Sequence, residues 1–150
     1  MNVRSFVFLP GNSFLWRIMK KVHEALIKLG FPSSQISMLD SYDAISIHVE
    51  NLPDVMFSNA DDRLWIWSLL PHLSEARLLD HAKEVMQVIT TAIEGVESGQ
   101  PTFGMGEGGY ELKAAINISK MTDADDLLNI LRDFIARLHR LCTIFEIKWS

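Results

Sequence analysis

The chain has 150 residues, 48% hydrophobic and 22% charged, a composition that fits one globular domain with its own core. Its 14 Lys and Arg against 19 Asp and Glu leave a formal charge of −5, which argues against a protein whose main work is gripping phosphate backbones. Cys142 is the only cysteine, so no intramolecular disulfide and no Cys-rich metal site is expected, and no apolar run approaches the ~20 residues needed to cross a bilayer.

The opening MNVRSFVFLPGNSF carries the apolar run Phe6-Val7-Phe8-Leu9, which Pro10-Gly11 breaks well short of a secretory signal core. From Leu15 the apolar residues Leu15, Ile18, Val22, Ala25, Leu26 and Leu29 fall at helical spacing, with Arg17, Lys20, Lys21, Glu24 and Lys28 between them. Gly30 and Pro32 predict the end of this first helix.

Residues 39–70 pack three β-type runs around two turns. Residues 44–49 alternate, with Ile45, Ile47 and Val49 opposite Ser46, His48 and Glu50. Asn51-Leu52-Pro53 turns the chain, residues 54–58 place Val55 and Phe57 on one side, and Asn59-Ala60-Asp61-Asp62 supplies the next turn. The third run, 63–70, sets Trp65, Trp67 and Leu69 on one face and Leu64, Ile66 and Ser68 on the other, so both faces are apolar. One layer of helices covers only one face of a sheet, so the other must meet further chain, a second subunit or a ligand.

Ser74 then predicts the cap of a helix running to about residue 94, with Leu78, Leu79, Ala82, Val85, Met86, Ile89, Ala92 and Ile93 as its apolar stripe. That stripe is wider than a small sheet needs, which marks the helix as a candidate subunit interface. Residues 103–107 and 110–118 read as two more strands joined by Gly108-Gly109. Thr122-x-x-Asp125 resembles a capping arrangement ahead of a last helix through Leu127, Leu131, Phe134, Leu138 and Cys142. The order helix, three strands, helix, two strands, helix predicts an α+β fold with an antiparallel sheet.

Signals for chemistry are weak. Gly104, Gly106 and Gly109 match the letters of a dinucleotide fingerprint, but a strand-like run follows where that motif opens a helix. Of the five histidines, His23 begins a zincin-like pattern that Ile27 breaks, so no metal site is expected. Asp61-Asp62 and Asp123, Asp125 and Asp126 suit a turn and a helix N-terminus, although an acid pair of the glycosidase kind stays open without the fold. Cys142 reads as a small core residue, with no base beside it to make a nucleophile. Trp65 and Trp67 either fill a core or line a partner pocket, and at least one is expected in the core.

Leu39-Asp40-Ser41, the Ile45/Ile47 alternation, Leu52-Pro53 and Leu64-Trp65-Ile66-Trp67, taken as an ordered set, resemble the InvB/SpaK family of type III secretion chaperones over residues 19 to about 145. The resemblance implies a twisted antiparallel sheet in a small, acidic, cytosolic homodimer. It also implies no catalysis, cofactor or metal, and a client that is the N-terminal non-globular segment of secreted effectors. The secretion-system export ATPase is a further expected partner, with no nucleic acid and no membrane insertion. Residues 1–18 are then expected to be a loosely held extension and 19–150 the chaperone-like domain.

An extended client offers alternate side chains to apolar pockets beside a sheet edge. Leu26 and Leu29 from the first helix and Ile47, Phe57 and Trp67 from the meander are therefore the expected effector-binding residues, and Val85, Met86 and Ile89 the expected dimer contacts. The rival readings are a generic homodimeric interaction module and a small ligand-binding domain or enzyme.

Overall fold

The first helix, α1 (Phe14–Lys28), ends where the sequence puts its stop signal. Gly30 takes φ +94, and the Phe31 and Gly30 amides donate back to the Leu26 and Ile27 carbonyls, the pair of hydrogen bonds that closes a glycine-terminated helix. The structure is a computed structural model that describes residues 14–39 and 44–149. Within α1 one stripe is buried, Ile18, Met19, Val22 and Leu26, while Arg17, Lys20, Lys21 and Lys28 stay exposed. The helix therefore begins inside the expected 1–18 extension and draws Ile18 into the core. Residues 1–13 and Asp40 to Asp43, including part of the Leu39-Asp40-Ser41 signature, lie outside the described residues.

Among the described residues the sheet has six antiparallel strands, one more than the five read from the sequence. They are β1 (Ile36–Leu39), β2 (Ala44–Ile47), β3 (Val55–Ala60), β4 (Arg63–Leu70), β5 (Thr102–Gly106) and β6 (Gly109–Ala115), in the order β1-β2-β3-β4-β6-β5. The added strand is β1, which pairs Ile36 with Ile47 and Met38 with Ile45. Four residues give too short an alternation to be read as a strand without its partner. Strands β3 and β4 are joined by Asp61 and Asp62, both at positive φ (53° and 60°), a two-residue hairpin turn that short polar side chains tolerate. Strand β3 accordingly runs to Ala60, beyond the expected end at residue 58.

The long helix expected over residues 74–94 is two helices, α2 (Glu75–Asp80) and α3 (Ala82–Ile89). The Ser74 hydroxyl caps α2 by accepting from the Arg77 amide at 3.2 Å. At His81 the backbone leaves helical geometry (φ −116, ψ 20), so α2 and α3 present different sides to the protein. Helix α3 buries Val85 and Val88 and then stops, with the Thr90 and Thr91 hydroxyls donating to the Met86 and Gln87 carbonyls. Beyond it Ile93 enters the core from a loop, its amide held by the Gly99 carbonyl.

The last helix, α4 (Ala124–Ile144), is capped by Asp123 rather than Thr122. Asp123 accepts from the Asp126 amide, and the Asp126 carboxylate accepts from the Asp123 amide and from both the amide and the hydroxyl of Thr122. Helix α4 supplies Leu127, Ile130, Leu131, Phe134, Leu138 and Leu141 to the core. Together α1, α3 and α4 cover one face of the sheet, against the buried row Ile45, Ile47, Val55, Phe57, Leu64, Ile66, Leu70, Leu112 and Ala114.

Candidate functional site

Antiparallel register determines what the opposite face carries. Met56 pairs with Trp67, Trp67 with Lys113 and Lys113 with Thr102, while Ser58 pairs with Trp65 and Trp65 with Ala115. Leu69 stands opposite Glu111 on the same face. Along β4 the alternation is strict: Leu64, Ile66, Ser68 and Leu70 are buried, and Trp65, Trp67 and Leu69 are half-buried. Met56, Trp65, Trp67 and Leu69 take no part in the core or in the layer packed on it. The two-sided apolarity of residues 63–70 thus resolves into one face under helices and one face that no described helix covers. Neither tryptophan is core, contrary to the sequence expectation. Their partners across the sheet are Met56, Ser58, Ala115 and the stem of Lys113 rather than a second layer.

Both indoles are held by their polar ends. Trp67 Nε1 donates to the Ser58 hydroxyl at 2.9 Å, and Trp65 Nε1 donates to the Ala60 carbonyl at 3.1 Å. The Lys113 ammonium sits 4.7 Å from the centre of the Trp65 ring, a cation–π contact that desolvation by a ligand would strengthen. With their N–H groups satisfied within the protein, the rings offer apolar area to whatever lies on the sheet at little further ordering cost.

At the rim of this face His48 Nδ1 lies 3.2 Å from Asp54 Oδ1, and the Ser46 hydroxyl lies 3.5 Å from Asp54 Oδ2. Serine, histidine and aspartate meet here in the wrong order for nucleophilic catalysis, because the serine reaches the carboxylate and not the imidazole. Asp54 is instead a structural hub, its carbonyl accepting from the buried Ser68 hydroxyl at 2.8 Å. Burial pushes the Cys142 thiol up to about 11, so it stays protonated and unreactive at neutral pH. Among the described residues no three His, Cys, Asp or Glu side chains are grouped to hold a metal ion, and no helix is long and apolar enough to cross a membrane.

The expected site residues separate by location. Leu26, Ile47 and Phe57 are fully buried between α1 and the sheet, on the side the helices cover. The reason is register: Ile47 and Phe57 share the side of Ile45 and Val55, which α1 covers. Leu29 is half-buried at the end of α1, and of the five only Trp67 stands on the uncovered face. Among the expected dimer contacts, Val85 points into the core and Ile89 packs partly against it, whereas Met86 is 54% exposed. Leu79 on α2, at 63%, is more exposed still. The residues that sequence reasoning left out of the site are Trp65, Leu69, Met56 and Lys113. The first two were legible from the alternation that marked Trp67, while Met56 and Lys113 join them only through pairing across β3 and β6.

Residues 30–107 match the Invasion protein B family. The SpaK surface presentation of antigens protein of Salmonella typhimurium is 29% identical over 117 residues, covering 78% of this chain and 87% of the relative. The fold is similar to that in the HopA1-SchA chaperone-effector complex, with a TM-score of 0.54 at 15% identity over 80% of this chain and 88% of that one. It is equally similar to YbjN from E. coli, with a TM-score of 0.55 at 11% identity over 88% and 96% of the two chains. At such identities the structural likeness shows the fold alone, and the family match carries the functional information.

Proposed function

The chain belongs to the Invasion protein B family, a family of non-enzymatic type III secretion chaperones, and on that premise we propose that its uncovered sheet face holds an extended N-terminal segment of a secreted effector. The observation that carries this reading is the apolar surface of Met56, Trp65, Trp67 and Leu69, two of whose rings are fixed in place before any partner arrives. A non-globular segment lying along strands can pair its backbone with a sheet edge and set alternate side chains on such a surface. Keeping the segment extended costs the chaperone little, because the receiving groups are already ordered.

The same reading places the protein in the bacterial cytoplasm and makes it a homodimer joined through the outer sides of α2 and α3, where Leu79 and Met86 are exposed. Delivery to the secretion-system export ATPase completes the proposed cycle. Copurification from a strain that expresses the secretion system, followed by mass spectrometry of the retained proteins, tests the proposal. Effectors retained by the wild-type chain and lost with Trp67→Ala support it, and a set of retained proteins unchanged by Trp65→Ala and Trp67→Ala together overturns the assignment of this face.

A further inference from the structure

The uncovered face is apolar along its middle and carries charge on one flank. Lys113 of β6 stands there directly opposite Trp67, half-buried, with its ammonium 4.7 Å from the centre of the Trp65 ring. Among the described residues that ammonium makes no ion pair and no hydrogen bond. Two acids of this face are engaged elsewhere. Asp54 holds His48 and Ser46 at the rim. Glu111, two positions before Lys113 on β6, sets its carboxyl group over Gly106, where any side chain would collide with it, and so leans toward the β5–β6 hairpin and away from Thr102, the residue opposite Lys113. Beyond Lys113 the edge strand β5 shows this face Thr102, Gly104 and Gly106, and nothing stands within 4 Å of where a side chain on Gly104 would begin. The ammonium is therefore open to a group arriving across the β5 edge.

We propose that Lys113 selects the client: the segment that lies on this face places an Asp or Glu carboxylate on the Lys113 ammonium while neighbouring apolar side chains cover Trp65 and Trp67. This rests on the reading of the face as the effector site and adds to it the charge that the segment must carry. An apolar segment laid over the rings strips water from the ammonium, and a buried charge without a partner costs more than an indole face returns. A carboxylate brought by the client removes that cost and adds a charge-assisted hydrogen bond. In an extended chain every second side chain meets the surface beneath, about 7 Å apart, so an acid two positions from an apolar residue serves both groups at once. The formal charge of −5 sharpens the contrast, because general charge attraction to this chain would favour a basic client, whereas Lys113 calls for an acid at one place.

The test is calorimetric titration of the full chain with short synthetic peptides that carry Leu at every second position and differ only in one central Leu replaced by Glu, Gln or Lys. The Glu peptide should bind the wild-type chain about tenfold more tightly than the Gln peptide, and more tightly still than the Lys peptide. Lys113→Met, which keeps an apolar stem beside Trp65 but no charge, should abolish the difference between Glu and Gln. Lys113→Arg should retain it, and Lys113→Glu should reverse the order of the Glu and Lys peptides. Equal binding of all three to the wild-type chain, lost with Trp65→Ala and Trp67→Ala together, overturns this proposal and leaves the effector face standing. Binding that those two substitutions do not touch, or no binding by any peptide, overturns both. A preference for Glu that survives Lys113→Met overturns the role of Lys113. So does a change of oligomeric state with Lys113→Glu, seen by light scattering, that leaves peptide binding unaltered, which would make a second copy of the chain the occupant.

Discussion

Trp67 and Ser58 stand diagonally across the β3–β4 pair, and the indole N–H donates to the serine hydroxyl at 2.9 Å. The bond does not bury the ring. It lays the ring against the sheet beside Met56 and leaves its apolar area open, which is how a binding surface differs from a core in the same strand. Trp67→Ala is therefore expected to weaken effector binding by at least about tenfold, in line with the loss of a central aromatic anchor, while the melting curve hardly moves. Ser58→Ala should give a smaller loss, since the ring remains but is no longer held. Calorimetric titration of an effector segment against both variants, with thermal melts alongside, checks the pair.

Leu26 and Phe57 are expected to behave in the opposite way. Each is fully buried where α1 meets the sheet, so truncation to alanine should cost roughly 2 to 5 kcal/mol of stability through lost burial and the cavity left behind. Denaturant unfolding would show this, with any loss of effector binding following the loss of folded protein and not preceding it.

Placing a charge on the outer side of α2 and α3 should separate association from folding. Met86→Asp and Leu79→Asp change exposed residues, so each should leave a folded chain that light scattering shows as monomer. Val85→Asp, by contrast, buries a charge without a partner and should yield insoluble or unfolded protein. Folded dimers from both exposed variants would place the interface elsewhere.

Truncation from the N-terminus should be tolerated to Phe14 and not to Met19. A chain starting at Met19 loses Ile18, which is buried in the core, together with the first turn of α1. Its thermal midpoint should fall clearly below that of a chain starting at Phe14, as measured by circular dichroism.

Acid should loosen the start of α4. Asp126 has a carboxyl pKa held below 3.8, chiefly by the hydrogen bonds from the Thr122 hydroxyl and amide. A group with a depressed folded pKa contributes stability that is present above its unfolded value, near 3.8, and lost as pH falls through the folded value. Asp126→Asn removes the charged acceptor, so the stability difference between wild type and variant should be constant near neutral pH and shrink below about pH 4. Urea unfolding at a series of pH values reads this directly.

Much of this architecture was legible because it depends on local chemistry. The α1 stop follows from Gly30, which adopts a positive φ that other residues resist, and the β3–β4 hairpin follows from Asp61 and Asp62 between two alternating runs. The two apolar faces of residues 63–70 already implied that something beyond one helical layer must meet this strand. Tertiary structure alone decided three further points. Strand β1 exists because β2 supplies the hydrogen bonds that four residues cannot supply for themselves. The break at His81 follows from packing, since an apolar stripe read from sequence has no way of showing that Val85 and Val88 must turn inward while Met86 stays outside. Above all, the side of the sheet that becomes core depends on where α1, α3 and α4 lie. A period of two says only that Phe57 and Met56 face opposite ways, and it took the helices to bury the first and leave the second beside Trp67.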